Sequence, residues 1–333
     1  MASNQLGRGL SGLAITPPVL GRISIGRVIE RNGKRLPEKD DQFTITTQIR
    51  DADGWRLHPL DESLRAGQGK LRAIPVRLLF NDPDLNLRAS YTAFDRQSAR
   101  PVCTGNGETC QRSTLEGVKA LPCPSPDHCE LAAGGACRPY GRLNVLLGDD
   151  DATGTFVFRT TGFNSIRTLT ARLHYLAAVS GGLLSCLPLE LRVRGKSTAQ
   201  SKGTPIFYVD LVIRSGLTLE AAISEARGLA ESRKAAGFDQ EALDQAARLG
   251  FERGLFEDSE EDTAAVVEEF FPVEVDAQAE ATATKPVAMT GLRQKLGERG
   301  AQNKNSAMAQ VSGSRHEPVA SQNGFNKTEG VAP

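Results

Sequence analysis

Five of the six cysteines of this chain fall within 35 residues, as Cys103, Cys110, Cys123, Cys129 and Cys137. Around them, from 101 to 139, Gly, Pro and polar residues dominate and no hydrophobic period survives, so the segment cannot bury a core of its own. Something other than apolar packing must hold it. Residues 1–20 contain neither the apolar run of about 7–15 residues nor the small-residue site of a secretory leader. No stretch approaches the roughly 18–20 apolar residues that cross a bilayer. The sequence therefore predicts a cytoplasmic protein without a membrane segment, and in a reducing compartment disulfides do not persist. Zinc solves the same problem, because four thiolates around one ion replace a core in a short, turn-rich segment.

The turns are in place for such a site: Gly105-Asn106-Gly107 after the first cysteine, Cys123-Pro124-Ser125-Pro126 at the third, and Gly134-Gly135 before the last. The gaps of six, twelve, five and seven residues are not the paired Cys-x-x-Cys of a zinc ribbon, so the assignment rests on number and surroundings. Cys103, Cys110, Cys123 and Cys137 are the expected structural zinc ligands, with Cys129 as the alternative. His128 could replace one thiolate. A reduced, unliganded cluster and a redox pair are the competing readings. Cys186, between Leu184 and Leu187, reads as a small core residue.

A site made only of thiolates leaves no open position for water, which argues against a hydrolase. The four histidines form no HExxH pair, and neither a phosphate-cradling GxxxxGK[ST] loop nor a GxSxG elbow occurs. The acidic runs Asp149-Asp150-Asp151 and Asn81-Asp82-Pro83-Asp84 read as turns. No catalytic residue is expected.

Periodicity elsewhere predicts an α+β fold, a mostly antiparallel β core with one central helix, the Cys-rich zinc-stapled insert, a helical C-terminal extension and a disordered tail. Strands are expected at 21–29, with a bulge, and at 43–49, 74–80, 87–94, 142–147, 155–158, 187–193 and 206–213, with a hairpin turn at Asn32-Gly33. Ile166, Leu169, Leu173 and Leu176 recur on one face of a helix capped by Asn164 or Ser165 and stopped by Gly181-Gly182. Two more helices run from Thr218 to Gly237 and from Asp239 to Gly250. The domain reading is a flexible arm 1–19, a core domain 20–215 with insert 101–139, a helical extension 216–256, and a tail 257–333.

Forty acids balance forty bases overall, but not along the chain: 13 acids and only 7 bases lie beyond residue 256, so the body is net +6 and the tail −6. Between Glu257 and Glu280 stand ten acids and no base. Such a body fits nucleic acid or an acidic partner, with a tail able to compete intramolecularly. Arg159, Arg167, Arg172, Arg192, Arg194 and Lys196 form the candidate contact patch, against the blander reading of a solvated surface. In the tail, Val266-Val267-Glu268-Glu269-Phe270-Phe271-Pro272 is an acidic-aromatic island in which Phe270 and Phe271 could dock on a partner. Met289–Leu296 could form a second short helix on binding.

The order of these features resembles the recombination directionality factor-like family of phages and integrative elements, whose members are often labelled hydrolase or metal-binding protein. The resemblance covers about residues 20–215. It is carried by Gly21-Arg22-Ile23-Ser24-Ile25-Gly26, Cys103 to Cys110, Pro122-Cys123-Pro124, and Cys137-Arg138-Pro139 running into Arg142-Leu143-Asn144-Val145-Leu146. Gly154 to Phe158 with Thr161-Gly162-Phe163-Asn164-Ser165, and the strand 187–193, complete it. It implies a non-catalytic partner of a serine integrase bound to DNA, contacting its coiled-coil region and switching it from integration to excision, and it implies a structural zinc site at the cysteines. The two added helices and the acidic tail depart from the pattern. A single-stranded-DNA-binding or replication accessory role is the alternative, weakened by an aromatic content of 5%. A zinc-dependent hydrolase is the further alternative.

Overall fold

A computed structural model describes residues 18–253 and Val266, except 32–33, 52–53, 67–68, 96–99, 149–153 and 198–202; the side chains of 26–31, 34–40 and 251–253 are also outside the description. The expected tail, its Phe270 and Phe271, the arm before Pro18, the Asn32-Gly33 turn and the Asp149-Asp150-Asp151 run lie outside the described residues. Contacts divide the chain into units 1–275 and 276–333, and every described residue belongs to the first.

β1 (Val19–Arg31) and β2 (Lys34–Asp51) form a long hairpin with Ile23 opposite Ile45. Its register slips between Ile25 and Arg27, where the broken alternation predicts a bulge. β3 (Gly54–Leu57) and α1 (Pro59–Arg65) follow, then β4 (Ala73–Arg77), α2 (Pro83–Asn86) and β5 (Leu87–Phe94). The cysteine segment forms β6 (Pro101–Gly105), β7 (Thr109–Thr114) and β8 (Gly117–Pro122), and its last cysteine opens β9 (Cys137–Leu147). β10 (Thr155–Thr160), α3 (Phe163–Val179), β11 (Leu189–Lys196), β12 (Ile206–Ile213), α4 (Leu219–Ala235) and α5 (Gln240–Arg253) complete the described order. The chain is thus mixed α and β around a large, mostly antiparallel sheet.

The long sheet runs β3-β2-β1-β10-β9-β5-β6-β7-β8. Among the described pairs only β1 with β10 is parallel. The end of β9 also pairs with β4, which leads through β11 to β12, so this one strand is shared by both parts of the sheet. Strand alternation puts Ile23, Phe43, Ile45, Leu143, Val145, Phe156 and Phe158 on one face, all buried in the main core. The α3 residues Leu169, Leu173 and Leu176 close over that core, as the helical period predicts. Burying each such side chain contributes about 1.5–3 kcal/mol. α3 approaches β9 closely at Gly141, where a Cβ would meet Ile166 Cγ1 at 2.9 Å.

Neither expected cap serves α3, which starts from Gly162. Asn164 Oδ1 instead accepts from Lys196 Nζ at 2.7 Å, and buried Ser165 Oγ accepts from Val209 N–H at 3.1 Å. Both side chains tie the helix to the β11–β12 hairpin. Thr218, where the helix is expected to begin, caps α4, its side chain accepting from Ala221 N–H at 3.2 Å. Asp82-Pro83-Asp84 proves to be the cap and first turn of α2. The helix α1 carries buried Asp61, whose Oδ2 accepts from Ile45 N–H at 2.7 Å while Arg65 Nε donates to its Oδ1 at 2.5 Å. Segment 101–122 departs most from expectation. It is not a coil but three strands that extend the sheet past β5, each paired in register with the next.

Candidate metal centre

Strand register brings the distant cysteines to one face. Ala93 on β5 stands opposite Cys103 on β6 and Cys137 on β9. Cys103 and Cys137 are therefore two strand spacings apart, roughly 10 Å at the backbone, with only a buried alanine methyl between them. On β7, Arg112 faces Cys103 and Cys110 faces Gly105. Residues two apart share a face, so Cys103, Cys110 and Arg112 point the same way. Cys123 follows β8, its N–H donating to Glu108 O at 2.8 Å. A Cβ at Gly105 would lie 2.7 Å from Cys110 Cβ and 3.0 Å from Cys123 Sγ, so both cysteines close over a position only glycine can occupy. Cys129 sits between two short 3-10 turns, with Arg112 Nη2 3.9 Å from its sulfur. His128 is exposed on the first of those turns.

All six cysteines are free thiols. Cys103 and Cys110 are buried and the other three of the cluster half-buried. Burial, then a hydrogen bond with Cys103, pushes the Cys110 thiol up to about 11. Burial, then the charges of Cys103, Cys123, Cys129 and Cys110, pushes Cys137 up to about 11. The five sulfurs are thus within electrostatic reach of one another, in surroundings that disfavour thiolates unless a cation is supplied. Arg112 is that environment's own cation. Its hydrogen bond with Cys103 holds it more firmly protonated, and its buried Nε has no hydrogen-bond partner among the described residues. A half-buried guanidinium beside thiols suits a site that carries net negative charge, as four thiolates around a dication would. As placed, the sulfurs converge without closing: among the described residues no three His, Cys, Asp or Glu side chains already stand in a metal-holding arrangement. The donor set and its counter-charge fit zinc.

Cys186 lies in the main core, 4% exposed, as its apolar neighbours predict. The expected basic patch is mostly consumed internally. Buried Asp210 takes Arg172 Nε at 3.0 Å and Arg194 Nε at 3.3 Å. Buried Glu190 is paired with Arg192, and Lys196 holds Asn164. Arg167 is exposed on α3, and Arg159 lies on β10 facing Arg142 of β9. The six cations do not form one free surface. Arg112, which sequence reasoning missed, has no local signal: only the β6–β7 register puts it at the thiols.

The profile of the Gp3-like, recombination directionality factor-like family matches residues 20–214. The chain belongs to the recombination directionality factor-like family. No curated protein and no solved structure matches it. Apart from Val19 at the start of β1, the family region takes in every described strand, α3 and all five clustered cysteines, whereas α4, α5 and the acid-rich segment lie beyond it. No described helix is long and apolar enough to cross a membrane.

Proposed function

We propose that this protein is a non-catalytic recombination directionality factor that binds a serine integrase on DNA and favours excision over integration. Family membership across the whole sheet domain carries this reading. The protein acts by binding one synaptic arrangement of the recombinase better than the other. Reversing a 1:99 preference to 99:1 takes about 10⁴-fold differential affinity, about 5.5 kcal/mol. Cys103, Cys110, Cys123 and Cys137 hold a zinc ion, with Cys129 as the alternative donor. When bound, the zinc supplies a cross-link between β6, β7, β9 and the end of β8. This chain's residues shape the surface that meets the recombinase, and Arg112 offsets the charge of the thiolates.

The test is recombination in vitro with the cognate serine integrase on excision and integration substrates. Adding the protein is expected to raise excision and depress integration, and unchanged direction would sink the proposal. Metal analysis tests the second part: about one zinc per chain with sulfur-only coordination is expected.

A further inference from the structure

The face of the sheet opposite α3 carries a row of like charges. Arg88 on β5 stands opposite Arg142 on β9, which stands opposite Arg159 on β10. One residue further, Leu87, Leu143 and Phe158 form the matching row, buried in the main core. The three central strands, 87–94, 137–147 and 155–160, hold four arginines, with Arg138 the fourth, and no acid. Cations directly opposite one another across strands repel, so this face needs anions from outside those strands. It is also covered: Arg142 is only 7% exposed. Tyr140 lies two residues along β9 from Arg142 and packs edge-to-face on Phe94 with ring centroids 5.8 Å apart. The third member of that buried cluster is Val266, 1% exposed and the one described residue beyond Arg253. Val266 comes from the segment with ten acids and no base, five of those acids lying at 257–262 and two at 268–269.

We infer that the acid-rich segment around Val266 is the resident occupant of this arginine face, and that it withholds the face from the phosphate backbone of DNA. Val266 anchors the segment on Phe94 and Tyr140, and its flanking carboxylates supply the charge that the arginine row lacks from its own strands. Guanidinium forks accept carboxylate and phosphate alike, so a phosphate backbone competes for the same groups. The segment lies beyond the residues that the family profile matches, 20–214. The inference stands apart from the integrase reading: DNA affinity can respond as described whether or not excision does.

The experiment uses the full chain with the seven acids of 257–262 and 268–269 changed to their amides, and a labelled DNA duplex of about 20 base pairs followed by fluorescence anisotropy. The neutralised chain is expected to bind at least tenfold tighter than the native one near 50 mM salt. Its log–log salt slope should be about −3 to −4, as for about four phosphates neutralised. Adding Arg142→Gln and Arg159→Gln should reverse the gain. No gain, or a gain indifferent to those arginines, overturns the inference. Polyglutamate binding the neutralised chain as tightly as DNA overturns the choice of phosphate. Should the arginine variants fail to fold, a photo-crosslinker at position 268 of the otherwise native chain decides occupancy: adducts are expected within 87–94 or 137–147, and adducts elsewhere overturn it.

Discussion

Replacing Gly105 by alanine tests the thiol cluster with a single methyl group. The added Cβ would lie 2.7 Å from Cys110 Cβ, 2.9 Å from Thr109 O and 3.0 Å from Cys123 Sγ, all inside van der Waals contact. Two of these three neighbours belong to β7, the strand paired with position 105, so relief requires β6 and β7 to part or Cys123 to swing away. Overpacking of this kind costs about 1–3 kcal/mol. At about 2–4 °C per kcal/mol for a domain of this size, the melting temperature should fall by about 2–12 °C. Zinc retention should fall with it, because the displaced groups are two of the four expected ligands. Calorimetry and metal analysis on the same preparation read both. Gly228 on α4 is the control: nothing lies within 4 Å of a Cβ there, and Gly228→Ala should stabilise by about 0.5–1 kcal/mol through helix propensity alone. If Gly105→Ala kept both its melting temperature and its zinc, the placement of Cys110 and Cys123 over that glycine would be wrong.

Three further outcomes are expected. Cys103→Ser, Cys110→Ser, Cys123→Ser and Cys137→Ser should each abolish tight zinc retention while Cys129→Ser preserves it, as metal counting after dialysis against a chelator would show; the reverse pattern assigns Cys129 as a ligand. Asp61→Ala strands the buried Ile45 N–H and removes the carboxylate that Arg65 holds beside Gln42 and Phe43 O, at a cost of about 3 kcal/mol in denaturant unfolding; a loss below about 1 kcal/mol would show that the site relaxes. Burial holds the His58 imidazole below its ordinary value, and its Nδ1 accepts from Leu60 N–H at 3.2 Å, so folding favours the neutral ring. That contribution is complete above about pH 6.5 and is lost as pH falls through the lower folded value. Unfolding at pH 7.5 and 5.5 should show this loss, and His58→Gln should flatten it.

What could be read from sequence is what local spacing encodes. The α3 stripe at 166, 169, 173 and 176 reports a helix because its period is set by neighbours in the chain. The alternation at 87–94 and the helix start near Thr218 report β5 and α4 for the same reason. β6 and β7 escaped because their buried residues are Cys103, Gly105 and Cys110, a set with no hydrophobic period, and β8 escaped because it buries none. Their order comes from partners on other strands. The internal pairing of the basic residues was hidden for a related reason. Asp210 and Glu190, which absorb Arg172, Arg194 and Arg192, stand on strands whose pairing no local pattern announces. The gathering of thiols was legible from their number alone, but the cation set among them was not.

Strand β9 shows why the thiol cluster and the arginine face belong to one design. Cys137, Gly141, Leu143 and Val145 turn toward α3, while Arg138, Tyr140 and Arg142 turn away. A slip of one residue would carry every one of them to the wrong face. Beyond Leu143 the core fixes that register, with Leu143 and Val145 fully buried. Near Cys137 the inward positions are a thiol, a proline and a glycine, which offer little apolar area to resist slippage. A zinc cross-link from Cys137 to β6 and β7 would hold the register where packing cannot, and with it Tyr140 and Arg142 on the opposite face. Its work is then conformational, and removing it would be felt on the side of the sheet that the metal does not touch.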